Sequence, residues 1–147
     1  MRRLLVMLPC VLVSCGDQRP CAGSACPQIN GAYLVSWQQG FPQMGCPEMG
    51  PRPVNLNFTQ QGNQVAVLVG GNELRGTVYD TWDFSASGGD TAATYSLRGR
   101  AVLSGPTAQP DGGAVRPNVR LTGTLFTRTG SATASCDLAE NYTADRL

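Results

Sequence analysis

An all-β fold, an antiparallel up-and-down meander of about eight strands that closes or nearly closes into a barrel, is what this sequence predicts. Apolar and polar residues alternate with a period of two in several separate segments. Short turns rich in Gly and Asn join many of those segments. No segment sustains a helical period. A sheet of this size tends to close on itself, because open strand edges invite aggregation.

The N-terminus is different in character. Met1-Arg2-Arg3 is basic, Leu4 to Val13 is mostly apolar, and Ser14 is a small residue before Cys15. The apolar run is too short to span a bilayer, which takes roughly 20 residues, and it has the make-up of a cleavable signal. Leu12-Val13-Ser14-Cys15 resembles the lipobox of bacterial lipoproteins. The resemblance implies that residues 1–14 are removed, that Cys15 is acylated (palmitate among the chains) and that the protein is anchored to a membrane. Residues 15–28, with Pro20 and Pro27 and almost no bulky apolar side chain, then read as a lipidated tether ahead of a β-barrel domain at residues 29–147. Gly16 and Asp17 lack the aspartate placement that commonly retains lipoproteins in the inner membrane. The resemblance therefore implies an outer-membrane location, on the periplasmic or cell-surface side.

The strands follow in order. Gly31, Tyr33, Val35 and Trp37 alternate with Ala32, Leu34 and Ser36. A long loop from Gln38 to Pro53 carries four prolines, Cys46 and three apolar side chains, Phe41, Met44 and Met49, and is expected to fold over one end of the barrel as a lid. Val54, Leu56 and Phe58 begin the next strand, Gln61-Gly62-Asn63 turns it into the apolar run Val65 to Val69, and Gly70-Gly71-Asn72 turns it again. Leu74 to Phe84 reads as one strand with Leu74, Gly76, Val78, Trp82 and Phe84 on its apolar face. Ser85 to Asp90 reads as a turn. Tyr95, Leu97, Gly99, Ala101 and Leu103 mark another strand, Ser104 to Pro117 a second long loop, and Val119, Leu121, Gly123 and Leu125 a further strand. The chain ends in a run near Asn141 to Arg146, preceded by Ser135 to Asn141, which has room for a single helical turn. Glycines 76, 99 and 123 fall on inner faces, where they permit the sharp bending that closure needs.

Six cysteines partition simply. Cys10 lies in the discarded signal and Cys15 takes the lipid, leaving Cys21, Cys26, Cys46 and Cys136 for two disulfides in an oxidising compartment. Of the three connectivities, Cys21–Cys26 as a local loop and Cys46–Cys136 as a long clasp is favoured. A clasp of that length contributes roughly 4–5 kcal/mol in the chain-entropy description.

Composition bears on chemistry. All 11 basic residues are arginine, and there is no histidine or lysine. The commonest general base, the Schiff-base amine and the imidazole metal ligand are therefore missing. The sequence is accordingly read as non-enzymatic, with no cofactor and no metal. Asp80 and Asp83 flank Trp82, but their odd spacing sets them on opposite faces of a strand. The near-neutral domain has no basic block, which argues against nucleic acid as a partner. Arg98 and Arg100, with Arg75 on another strand, lie on an outer face as solvated positions with the chemistry to meet an acidic partner.

Gly31-Ala32-Tyr33 opening the first strand, the long first loop and the hairpin series Gln60 to Thr77 make residues 31–146 similar to small bacterial lipoproteins of lipocalin-like barrel type. That likeness implies an up-and-down barrel with an internal cavity. Two functional readings result. The barrel holds a small apolar ligand, with Tyr33, Trp37, Trp82 and Tyr95 lining the interior and Phe41, Met44 and Met49 in the lid. Alternatively the core is solid, and the protein binds another envelope protein through its surface.

Overall fold

The computed structural model describes residues 18–38, 52–106, 117–131 and 134–147. Cys15, Phe41, Met44, Cys46 and Met49 lie outside these residues. Eight strands run β1 (Gly31–Trp37), β2 (Asn55–Gln61), β3 (Gln64–Val69), β4 (Asn72–Val78), β5 (Asp83–Gly89), β6 (Ala93–Pro106), β7 (Pro117–Ser131) and β8 (Ala134–Arg146). Each pairs antiparallel with the next, and β8 returns to β1, so the meander is a closed barrel. The closing register sets Tyr33 opposite Arg146 and Trp37 opposite Tyr142.

The alternation seen in the sequence becomes the inside and outside of the wall. Val65, Val67 and Val69 of the continuous apolar run point inward and are buried, while Leu68 between them is 48% exposed. Tyr33, Leu56, Leu74, Leu97 and Leu121 are fully buried. The aromatic rings interlock along the interior. Tyr33 meets Phe58 edge-on at 5.5 Å, and Phe58 meets Phe84 at 5.4 Å. Burying each such side chain contributes roughly 1.5–3 kcal/mol, which makes this column a main source of stability. Phe84, Gly99, Gly123 and Tyr142 form one row across β5 to β8. The two glycines leave room for the large rings at either end. A β-carbon on Gly99 would stand 2.7 Å from both Phe84 Cζ and the Tyr142 hydroxyl, and one on Gly123 would run into the Arg98 carbonyl.

Three local expectations are corrected. Leu74–Phe84 is two strands, not one. Tyr79 N–H donates to the Asp83 carbonyl at 2.8 Å and Trp82 N–H to the Tyr79 carbonyl at 3.1 Å, closing a tight turn. Val78 and Phe84 both face inward across that turn. Their even spacing carries the alternation straight through it, so the sequence conceals the reversal, and no Gly, Pro or Asn marks it. Ser85–Asp90 is mostly strand, since β5 occupies Asp83–Gly89. Its small residues serve packing, because a β-carbon on Gly88 would come 2.6 Å from the Glu73 carbonyl. Ser135–Asn141 belongs to β8, paired along its length with β7, and holds no helical turn.

Residues 18–28, the described part of the tether expected at residues 15–28, are packed together with Ile29 and Asn30 into the base of the barrel. Cys21, Cys26 and Ile29 are buried in the core, and Cys21 is joined to Cys26 by a disulfide. Ile29 N–H donates to Gln60 Oε1 at 2.9 Å, Gln60 Nε2 donates to the Pro27 carbonyl at 3.0 Å, and Tyr33 Oη donates to the Ile29 carbonyl at 3.0 Å. Arg146 Nη2 donates to the carbonyls of Gln28 and Asn30. Five prospective orphan groups of an irregular segment are thus satisfied by barrel side chains, which is what its burial requires.

Candidate binding surface

Strand direction sorts the barrel into two ends. The base carries Gln18–Asn30 and the β2–β3 and β4–β5 connections, and the opposite mouth carries the β1–β2 loop. The aromatic residues expected to line one cavity are divided between these ends and the core. Tyr33 is fully buried, and its hydroxyl is committed to the Ile29 carbonyl. Trp37 sits at the mouth, with Nε1 donating to the Pro53 carbonyl at 2.9 Å and its ring 5.6 Å from Tyr142. Tyr95 is half-buried on β6, against the core. Trp82 is not on a strand face at all. It occupies the β4–β5 turn with φ 67°, a left-handed conformation that favours glycine. Phe84 and Tyr142 join Tyr33 on the axis instead.

The mouth contains a charge pair that the alternation argument did not single out. Glu140 faces inward on β8 and is 3% exposed, yet Arg52 Nη2 lies 2.5 Å from its Oε1. Burial of a carboxylate demands such a partner. Together with Trp37, the pair fixes the described end of the β1–β2 loop, Arg52 and Pro53, to the barrel mouth. Cys136, near this end of β8, is in a disulfide.

Outside, the wall curves over the close-packed glycines into a concavity of about 820 Å³ across β4 to β7. Hydroxyls line it, among them Ser85, Ser96, Thr122 and Thr124, and the Tyr79 and Ser85 hydroxyls lie 3.1 Å apart. Arginines on this face and its neighbours mostly have a carboxylate in register. Asp83 stands opposite Arg100, Asp145 opposite Arg120 and Asp137 opposite Arg128, each held by two hydrogen bonds between 2.6 and 3.1 Å. The Arg100 bonds, with smaller help from Thr81 and Gln18, hold the Asp83 carboxyl below the usual carboxylate range, and Arg128 does the same for Asp137. Arg75 pairs with Glu73 on its own strand. Arg98 differs. Its register partners are Ser85 and Thr124, and its guanidinium rests 5.9 Å above the ring of Phe126, which is 44% exposed. A stacked guanidinium retains its N–H donors for a ligand.

Compared with known proteins, the chain matches no family model, no curated protein and no solved structure. Asp80 is exposed in the β4–β5 turn, and Asp83 is engaged by Arg100, Thr81 and Gln18, so the two do not form a carboxylate dyad. Among the described residues no three Cys, Asp or Glu side chains are grouped to hold a metal ion. What the outer concavity offers is hydrogen-bonding hydroxyls and, in Arg98, a guanidinium that no carboxylate engages among the described residues, a surface suited to recognising a polar, acidic ligand.

Proposed function

We propose that this protein is a lipid-anchored, non-catalytic β-barrel of the bacterial outer membrane that binds an envelope protein through its outer surface. The partner contributes an acidic segment to the concavity across β4 to β7, where Arg98 is the anchoring cation. The observation that supports this reading over storage of an apolar ligand is the interlocking of Tyr33, Phe58 and Phe84 in the interior, with Tyr142 buried against Trp37, where a lipocalin-like carrier needs open space. Anchoring rests on the lipobox resemblance at Leu12-Val13-Ser14-Cys15.

A photo-crosslinking side chain at Thr124 in growing cells tests the reading. It is expected to capture an envelope protein, and Arg98→Glu is expected to abolish the capture while leaving the barrel folded. Purified barrel is expected not to raise the fluorescence of an apolar probe. Saturable probe uptake together with no crosslink would return the protein to the ligand-carrying reading.

A further inference from the structure

The base of the barrel is bound to the chain just after the anchoring cysteine. Gln18 Nε2 donates to Asp83 Oδ2 at 3.1 Å, Asp80 N–H to the Arg19 carbonyl at 3.0 Å, and Cys21 N–H to the Val78 carbonyl at 3.1 Å. Pro20 forms a β-bridge with Tyr79. The N-terminal segment is thus clamped along the β4–β5 turn from Gln18 onward. Only Gly16 and Asp17 lie between Cys15 and Gln18, and the three Cα–Cα steps across them reach only about 10–11 Å even when fully extended. A lipid on Cys15 therefore holds this turn close to the bilayer, with no long tether between them.

At the turn one aromatic side chain packs on the core while staying partly exposed, and beside it β6 carries apolar side chains that the core does not absorb. Trp82 is half-buried at the turn in a left-handed conformation. Its carbonyl accepts the Ala101 N–H at 2.9 Å, which sets Trp82 beside the part of β6 that continues past the start of β5. There Val102 is 45% and Leu103 51% exposed. A bulky residue held at positive φ is strained, and such strain persists where a side chain is needed in a particular place. Tryptophan is enriched at the water–lipid boundary, where its apolar ring and polar N–H are both accommodated.

From these contacts we infer that the rim formed by Trp82, Val102 and Leu103 rests on the bilayer that holds the Cys15 acyl chains, with Trp82 at headgroup level. The inference rests on the anchored reading above and adds an orientation to it: the barrel stands base-down, with the Arg52–Glu140 mouth directed away from the membrane.

The mature acylated protein carries only two tryptophans, Trp37 at the mouth and Trp82 at the base. The test reconstitutes it in vesicles of phosphatidylethanolamine and phosphatidylglycerol brominated near the glycerol end of the acyl chains. Trp37→Phe, which leaves Trp82, is expected to lose emission relative to unbrominated vesicles, and Trp82→Phe is expected to lose none. Adding Val102→Asp and Leu103→Asp, both at exposed positions, should restore the Trp82 emission. If Trp37→Phe reduces the folded yield, wild-type protein against Trp82→Phe gives the same comparison. Protein that is acylated by intact mass and floats with the vesicles, yet shows unquenched Trp82 or equal quenching of Trp37, overturns the orientation alone. Protein that lacks acyl mass and does not float overturns the anchored reading and the orientation with it.

Discussion

The Tyr142 hydroxyl lies 2.7 Å from the point where a β-carbon on Gly99 would stand, and it has no hydrogen-bond partner among the described residues. The glycine makes room for the ring. Gly99→Ala is expected to destabilise the barrel by roughly 1–3 kcal/mol, since the added methyl overpacks a filled core. Tyr142→Phe removes an unsatisfied buried hydroxyl and is expected to be neutral or stabilising. The double variant should lose less than the sum, because removing the oxygen relieves one of the clashes, although Phe84 and the Thr122 carbonyl remain. Urea unfolding of the four proteins measures the coupling, and strict additivity would show that the two sites do not touch.

Burial pushes the Tyr142 hydroxyl well above the ordinary tyrosine range, and burial raises Tyr33 too, against the opposing pull of Arg146. Above pH about 10 the unfolded chain releases these protons while the folded protein keeps them, so stability falls as pH rises. Below that pH the contribution is fully present. Tyr142→Phe is expected to flatten the alkaline fall in melting temperature measured from pH 9 upward. An unchanged alkaline slope would mean that Tyr142 is not the buried group that resists ionisation.

Glu140 and Arg52 are unequal partners, with side chains 4% and 41% exposed. Arg52→Ala strands a buried carboxylate and is expected to cost roughly 3–5 kcal/mol. Glu140→Gln leaves an arginine that can turn to water and keeps a polar group of the same shape, so its cost should be clearly smaller. Thermal melts at neutral pH order the two, and the reverse order would place the buried charge elsewhere.

Cys136 is disulfide-bonded, and Cys46 is the partner proposed for it. Non-reducing peptide mapping is expected to yield one peptide pair joined through Cys46 and Cys136 and a separate internal link between Cys21 and Cys26. Cys46→Ser should free one thiol at Cys136 and loosen the β1–β2 loop, detectable as faster proteolysis between Gln38 and Arg52. A free thiol at Cys46 in the wild-type protein would reject the clasp.

The sequence by itself determined most of the strands, though not the limits of β4, β5 and β8, because the alternation of Tyr33, Val35 and Trp37, or of Leu121, Gly123 and Leu125, is a local property of the chain that any antiparallel wall must obey. It also determined that neighbouring strands follow one another in a meander, since the connections at Gly62 and at Gly70-Gly71 are too short for anything but hairpins. The Cys21–Cys26 loop was legible for the same reason of proximity. Tertiary structure alone decided what depends on register and on distant contact. The turn at Trp82 was hidden because Val78 and Phe84 keep the same parity on either side of it. Glu140 was passed over because its segment carried no strand signal until β7 was set beside it, and its partner Arg52 comes from a loop far away in the chain. Arg98 differs from Arg100, Arg120 and Arg128 only in having hydroxyls across the ladder where they have carboxylates. The segment from Gln18 to Asn30 is a plug because Gln60, Tyr33 and Arg146 satisfy its backbone, and those bonds exist only once the barrel has closed. Alternation specifies which way each side chain points, and only closure of the ring decides which side chains meet.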